Sequence, residues 1–254
     1  MFSAVHRLGL YATIATGCAS WLPAPAPMRT VADPLPSGQA RCLLVLMPGI
    51  GDSPEDFAEY GFIEAIRARG IAVDIVSTNA TLGYYAKRTL QDRIEADVLA
   101  PARKAGYRQI WFAGISLGGL GSLLVAQRYG TELAGIVLIA PYLGDDDVHG
   151  EVAKAGGLAR WQPPAKLDED DYQRDIWRWL KGATAKPETA PPIYLLSGDQ
   201  DKFAPAHRLL GATLPPERRL RTRGKHDWAP WQRLWADFLD HSDFRARCGD
   251  LRDR

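Results

Sequence analysis

The chain has 254 residues, of which 46% are hydrophobic and 24% charged, values of an ordinary globular domain with room for one sizeable core. With 31 basic against 30 acidic residues the formal charge is +1, so the overall balance gives no footing for a nucleic-acid partner, which calls for a basic stripe. No repeat recurs at a fixed period, and the three cysteines lack the spacing of a zinc site.

The chain opens with MFSAVHR and then an uncharged apolar run, LGLYATIATG, over residues 8–17. A membrane-spanning helix needs about 20 apolar residues, so this run is too short and reads as a signal peptide over 1–18. Ala15-Thr16-Gly17-Cys18 resembles the lipobox of bacterial lipoproteins, departing from it at Ala15, where a larger aliphatic residue is usual. The resemblance implies an exported protein, periplasmic or anchored to a membrane by a lipid on Cys18. The alternative is a cytoplasmic protein with an incidental cysteine. Residues 19–40 contain Pro23, Pro25, Pro27, Pro34 and Pro36 without periodicity. Proline fixes φ and removes a donor, so the segment is expected to be an extended linker between anchor and domain.

From residue 41 the chain reads as alternating strands and helices, with six strands expected at 42–47, 71–77, 109–113, 134–140, 193–197 and 218–222. They are near-continuous apolar runs such as CLLVLM and AGIVLIA, the pattern of a mainly parallel sheet covered on both faces. Helices are expected over 53–69, where Ser53 caps and Pro54 takes the first position, and over 84–105, 117–129, 205–213 and 229–240. The stretch 142–190 breaks the alternation. It is expected to be a small cap, with an acidic helix start at Asp168-Glu169-Asp170-Asp171.

Gly114-Ile115-Ser116-Leu117-Gly118 follows a strand and opens a helix. That setting puts Ser116 on a strained strand-to-helix turn, where small residues two before and two after let the backbone bend. A serine hydroxyl needs a base within hydrogen-bond reach and a third group to fix the base's tautomer. Two aspartates follow the strand at 193–197. Asp201 is the expected acid and Asp199 the expected turn former. Of the five histidines, His226 alone follows that acid at a strand-to-helix junction, in Gly224-Lys225-His226-Asp227-Trp228. The oxyanion amides are expected from Leu117 and from Ile50 in Pro48-Gly49-Ile50-Gly51-Asp52. Gly49 and Gly51 would let the backbone approach the substrate, and Trp161, Trp177, Trp179 and Trp228 are candidates for an acyl wall. Tyr84 and Tyr85 are weaker ones.

GISLGG at 114–119, SGDQDKFAP at 197–205 and GKHDW at 224–228, in that order, resemble the α/β-hydrolase superfamily over roughly 42–240. PGIGDSPEDF at 48–57 is similar to the HGLGD-type loop of carboxylesterases and acyl-protein thioesterases, with Pro48 in place of their histidine. The resemblance implies an α/β-hydrolase fold and a serine hydrolase acting on a small or lipid-like carboxylic ester or thioester through an acyl-enzyme, with no cofactor or metal and no nucleic acid. An acyltransferase with the same residues and a non-catalytic, membrane-tethered binding module remain open readings. The implied fold would also bring Cys42 and Cys248 to the same end of the sheet, and an exported protein permits a disulfide there.

Overall fold

The structure, a computed structural model, describes residues 22–36, 38 and 40–249. The expected signal peptide and Cys18 lie outside the described residues. Seven strands form one sheet: β1 (Thr30–Asp33), β2 (Cys42–Met47), β3 (Val73–Thr78), β4 (Gln109–Ile115), β5 (Leu133–Ile139), β6 (Ile193–Gly198) and β7 (Arg219–Thr222). Their order is β1-β3-β2-β4-β5-β6-β7, with β1 antiparallel to β3 and every other pair parallel.

Alternate side chains of the inner strands feed two cores. Leu43, Val45, Met47 and Phe112 face one layer; Leu44, Leu46, Trp111 and Ile115 face the other. The first layer is covered by α3 (Leu82–Ala86), α4 (Leu90–Ile94), α5 (Ala100–Ala105), α6 (Leu117–Tyr129), α7 (Asp146–Lys154), α8 (Tyr172–Ala185) and α9 (Ala204–Gly211). The second is covered by α1 (Asp56–Glu59), α2 (Phe62–Ala68), α10 (Trp228–His241) and α11 (Phe244–Cys248).

Three expectations are corrected. Among the described residues the sheet has seven strands rather than six, because residues 22–36 of the segment expected to be a linker form a packed strap. Its Thr30 pairs with Thr78 and its Asp33 with Ile75. Met28 and Leu35 are buried. The prolines lack donors but keep their carbonyls: Tyr84 Oη donates to Pro25 O at 2.6 Å and Thr81 Oγ1 to Pro23 O at 3.2 Å. Asp97 and Asp74 accept from the amides of Met28 and Leu35 at 2.8 and 2.6 Å.

The helix expected over 53–69 divides into α1 and α2 at Gly61, whose φ of 75° is left-handed. The helix expected over 84–105 breaks at Arg88, with φ 56°. It resumes as α4, passes through a π-helical turn at Glu95–Leu99 and ends as α5. Pro101 cannot donate to the carbonyl four residues back, and the π turn lies just ahead of it.

The insertion 142–190 shares the main core through Val148, Val152, Trp161, Ile176, Trp177 and Leu180. Arg174 binds it together, pairing with Glu151 of α7 and with Asp171, the N-cap of α8. Cys42 at the start of β2 and Cys248 at the end of α11 form a disulfide, with Cα atoms 5.3 Å apart. Among the described residues no helix is long and apolar enough to cross a membrane.

Candidate active site

The carboxyl ends of the parallel strands share one rim, and the loops there hold the three expected side chains. Ser116 sits between β4 and α6 with φ 51° and ψ −111°, a conformation L-residues rarely adopt. The reason lies in the neighbouring glycines. A Cβ on Gly118 would lie 2.0 Å from the Met47 carbonyl oxygen, and one on Gly114 would lie 2.0 Å from the Gly118 oxygen. The elbow therefore closes directly against the end of β2 and the loop after it. Ser116 N–H donates to Ile139 O, and the Ser116 carbonyl accepts from Tyr142 N–H, each at 2.9 Å.

His226 Nε2 stands 3.0 Å from Ser116 Oγ, and His226 Nδ1 stands 2.8 Å from Asp201 Oδ2. The other Asp201 oxygen accepts from the Phe203 amide at 2.8 Å. Burial by itself would raise the Asp201 carboxyl, but the hydrogen bonds from His226 and the Phe203 amide outweigh it and hold the group below its ordinary value. Asp201 is 5% exposed. Its neighbour Asp199 accepts from Gly224 N–H at 3.1 Å and shapes the turn, as expected.

The imidazole of His226 is gripped edge-on by two rings, Phe203 at 5.1 Å and 83° and Trp231 at 4.9 Å and 84°. Trp228, a candidate for the acyl wall, stacks on Tyr60 at 4.1 Å and meets Trp231 at 5.4 Å. Trp161 and Trp177 are core residues, Trp177 Nε1 donating to Leu143 O at 2.7 Å, and Trp179 packs against the same core. Tyr84 is buried under the strap, and Tyr85 packs its hydroxyl against Gly121 of α6.

Among the described residues the amides of Ile50 and Leu117 donate to no acceptor, which leaves them available to an oxyanion. Gly49 lies against the serine: a Cβ placed on it would be 3.6 Å from Ser116 Cβ. Gly51 has φ 86° and open space around it. Ile50 is 62% exposed, the one large apolar side chain so exposed among the described residues.

Sequence reasoning missed several residues around this centre. Asp52 leans over Gly49, and its carboxyl is raised by burial and then by Asp56. His207 of α9 is buried, and its Nε2–H donates to Pro141 O at 2.8 Å. That carbonyl lies in a turn forced by Ala140, whose φ is 46°. The same turn carries Tyr142, whose ring meets Phe203 at 5.5 Å. Thus His207 ties the loop after β5 to the helix that follows the acid. Only the helical placement of His207 was legible beforehand; its partner lies 66 residues away. Among the described residues no group of three His, Cys, Asp or Glu side chains is placed to hold a metal ion.

No family model and no curated protein matches the chain. Solved structures do. S-formylglutathione hydrolase from Staphylococcus aureus is 14% identical with a TM-score of 0.55, over 84% of this chain and 94% of that one. Monoacylglycerol lipase from Paleococcus ferrophilus is 18% identical with a TM-score of 0.54, over 85% and 99%. Est1E from Butyrivibrio proteoclasticus is 17% identical with a TM-score of 0.55, over 84% and 91%. The chain thus has the α/β-hydrolase fold, with a mostly parallel sheet between helices.

Proposed function

We propose that this α/β-hydrolase-fold protein is a serine hydrolase that cleaves a carboxylic ester or thioester through an acyl-enzyme. The observation that carries the reading is the unbroken relay from Ser116 Oγ to His226 Nε2 at 3.0 Å and from His226 Nδ1 to Asp201 Oδ2 at 2.8 Å. In the first step Ser116 Oγ attacks the carbonyl carbon while His226 takes the hydroxyl proton. Asp201 holds the Nδ1–H tautomer and offsets the imidazolium charge. The amides of Ile50 and Leu117 donate to the oxyanion. His226 then gives its proton to the leaving alcohol or thiol, activates a water and returns the serine. The esterase and lipase names among the structural neighbours support this class.

Export is part of the proposal. Disulfides persist in oxidising compartments, and the Cys42–Cys248 pair supports that placement. The lipid anchor at Cys18 rests on the sequence resemblance.

The test is Ser116→Ala assayed with p-nitrophenyl esters of increasing acyl length. The variant is expected to keep its fold and to lose at least about 10⁴-fold in kcat. Turnover near that of the parent would sink the assignment. The acyl length giving the highest kcat/KM in the parent defines the pocket.

A further inference from the structure

We propose that the β7 edge and the loop from it to His226 form a docking track for a linear polyanion, and that the ester is carried by an acidic polysaccharide. The substrate half of this rests on the hydrolase reading above.

The observation is a row of cations without carboxylate partners among the described residues, of which Arg219 alone donates to a backbone carbonyl, that of Gly211 at 3.3 Å. Between Glu217 and Asp227 the chain reads RRLRTRGKH, with no acidic residue. Arg219 and Arg221 are exposed and share one face of β7, about 6.6 Å apart at the usual strand rise. Exposed Arg223 and Lys225 continue the row to His226. Because β7 is parallel to β6, its carboxyl end is the catalytic rim. On the other side of His226, Lys202 Nζ lies 4.8 Å above the Phe203 ring.

Many arginines elsewhere are neutralised: Arg29, Arg67, Arg69, Arg93, Arg103 and Arg174 each hold a carboxylate. Others without one, such as Arg41, Arg108 and Arg160, do not line up toward the catalytic rim as the β7 row does. Along the track, Arg219, Arg221, Arg223 and Lys225 hold none among the described residues. Of the acids nearby, Asp199 is engaged by the Gly224 amide at 3.1 Å and Asp227 by the Trp228 amide at 2.7 Å, and the exposed Glu217, two residues before Arg219, forms no ion pair with the row among the described residues. Charges on an edge strand also discourage sheet-to-sheet pairing. That role does not require the row to run past the strand as far as the catalytic histidine.

The chemistry of the track selects the occupant. Single-stranded nucleic acids stack bases on aromatic rings between the cations. Anionic membranes take apolar side chains beside them. The rings near the track are engaged within the fold, Phe203 and Trp231 against His226 and Trp228 on Tyr60, and Ile50, the one exposed large apolar residue among those described, belongs to the oxyanion loop. A hydrophilic polyanion remains, and it must bear acylated hydroxyls to present an ester to Ser116. An acidic polysaccharide has both features.

The experiment compares the full chain with an R219Q/R221Q/R223Q variant on O-acetylated polygalacturonate, O-acetylated mannan and p-nitrophenyl acetate, at low and high NaCl. At low salt the variant's KM for the acidic polymer should rise about tenfold or more, with kcat unchanged and the parent's salt dependence lost. Both proteins should treat mannan and p-nitrophenyl acetate alike. A second arm measures binding of unesterified polygalacturonate to Ser116→Ala with and without the three arginines, so it reads the surface apart from the chemistry. Equal binding there overturns the track. Stronger binding of single-stranded DNA or of phosphatidylglycerol vesicles overturns the chosen occupant. Intact polygalacturonate binding with no ester turned over supports the track and overturns its substrate half.

Discussion

Single residues set the chemistry of the rim by where their hydrogen-bonding atoms are fixed. His207 is an example. Burial pushes its imidazole down to about 4 from 6.5, so the folded protein keeps it neutral with Nε2–H on the Pro141 carbonyl. Between those two pH values the unfolded chain binds a proton that the folded chain does not. Stability therefore falls as pH drops from 6.5 toward 4, by up to about 3 kcal/mol. His207→Phe leaves the Pro141 carbonyl without its donor and should cost about 1–3 kcal/mol at neutral pH. It should also lower kcat more than it raises KM, because the turn it frees leans on Ser116 and Phe203. His207→Gln restores an N–H and should recover most of that loss. Urea melts of the three proteins at neutral pH and near pH 4 check the sign: the acid-side loss must shrink in both variants.

Whole elements show how local signals and long-range contacts divide the work. The elbow was legible because its demands are local: a strand, a serine that must take a strained conformation, and glycines where Cβ atoms would collide. The strap was not legible. Prolines mark a segment that cannot form a helix, but pairing of Thr30–Asp33 depends on β3, more than 40 residues on. Removing residues 22–35 should therefore destabilise the domain, not merely release it from an anchor. Burial of Met28 and Leu35 alone contributes roughly 1.5–3 kcal/mol each. Thermal melts of chains beginning at residue 22 and at residue 36 test this; equal Tm values would return the segment to the role of a linker. The breaks within the two long helices belong to the same class. Gly61 and Pro101 were visible, yet tertiary packing decided that α2 should turn away and that the π turn should absorb the proline.

For the whole molecule, topology brings residues 116, 201 and 226 to one rim and sends both cysteines to the opposite end. The disulfide joins residues 206 positions apart. Closing so long a loop in the unfolded chain is worth about 5 kcal/mol in the entropic account. Cys42→Ala with Cys248→Ala should thus lower Tm by roughly 10–20 °C, with the proposed esterase activity retained below the transition. Calorimetry with and without a reductant measures it. The near-neutral total charge conceals an uneven distribution. Acidic residues gather on the insertion, at Asp145–Asp147 and Asp168–Asp171, and basic residues without carboxylate partners gather on β7.

The sequence by itself determined the alternation of strands and helices, the strand-to-helix elbow at Ser116 and which serine, aspartate and histidine are proposed to act together. These are stated by short-range periodicity and by residue types that the backbone needs in place. Only the tertiary structure decided that the proline-rich segment is a strand, that Phe203 and Trp231 hold His226, that His207 pins the turn at Pro141, and that the β7 arginines stand without carboxylates. Each of those facts depends on which distant segment arrives as a neighbour, and local sequence carries no record of that neighbour.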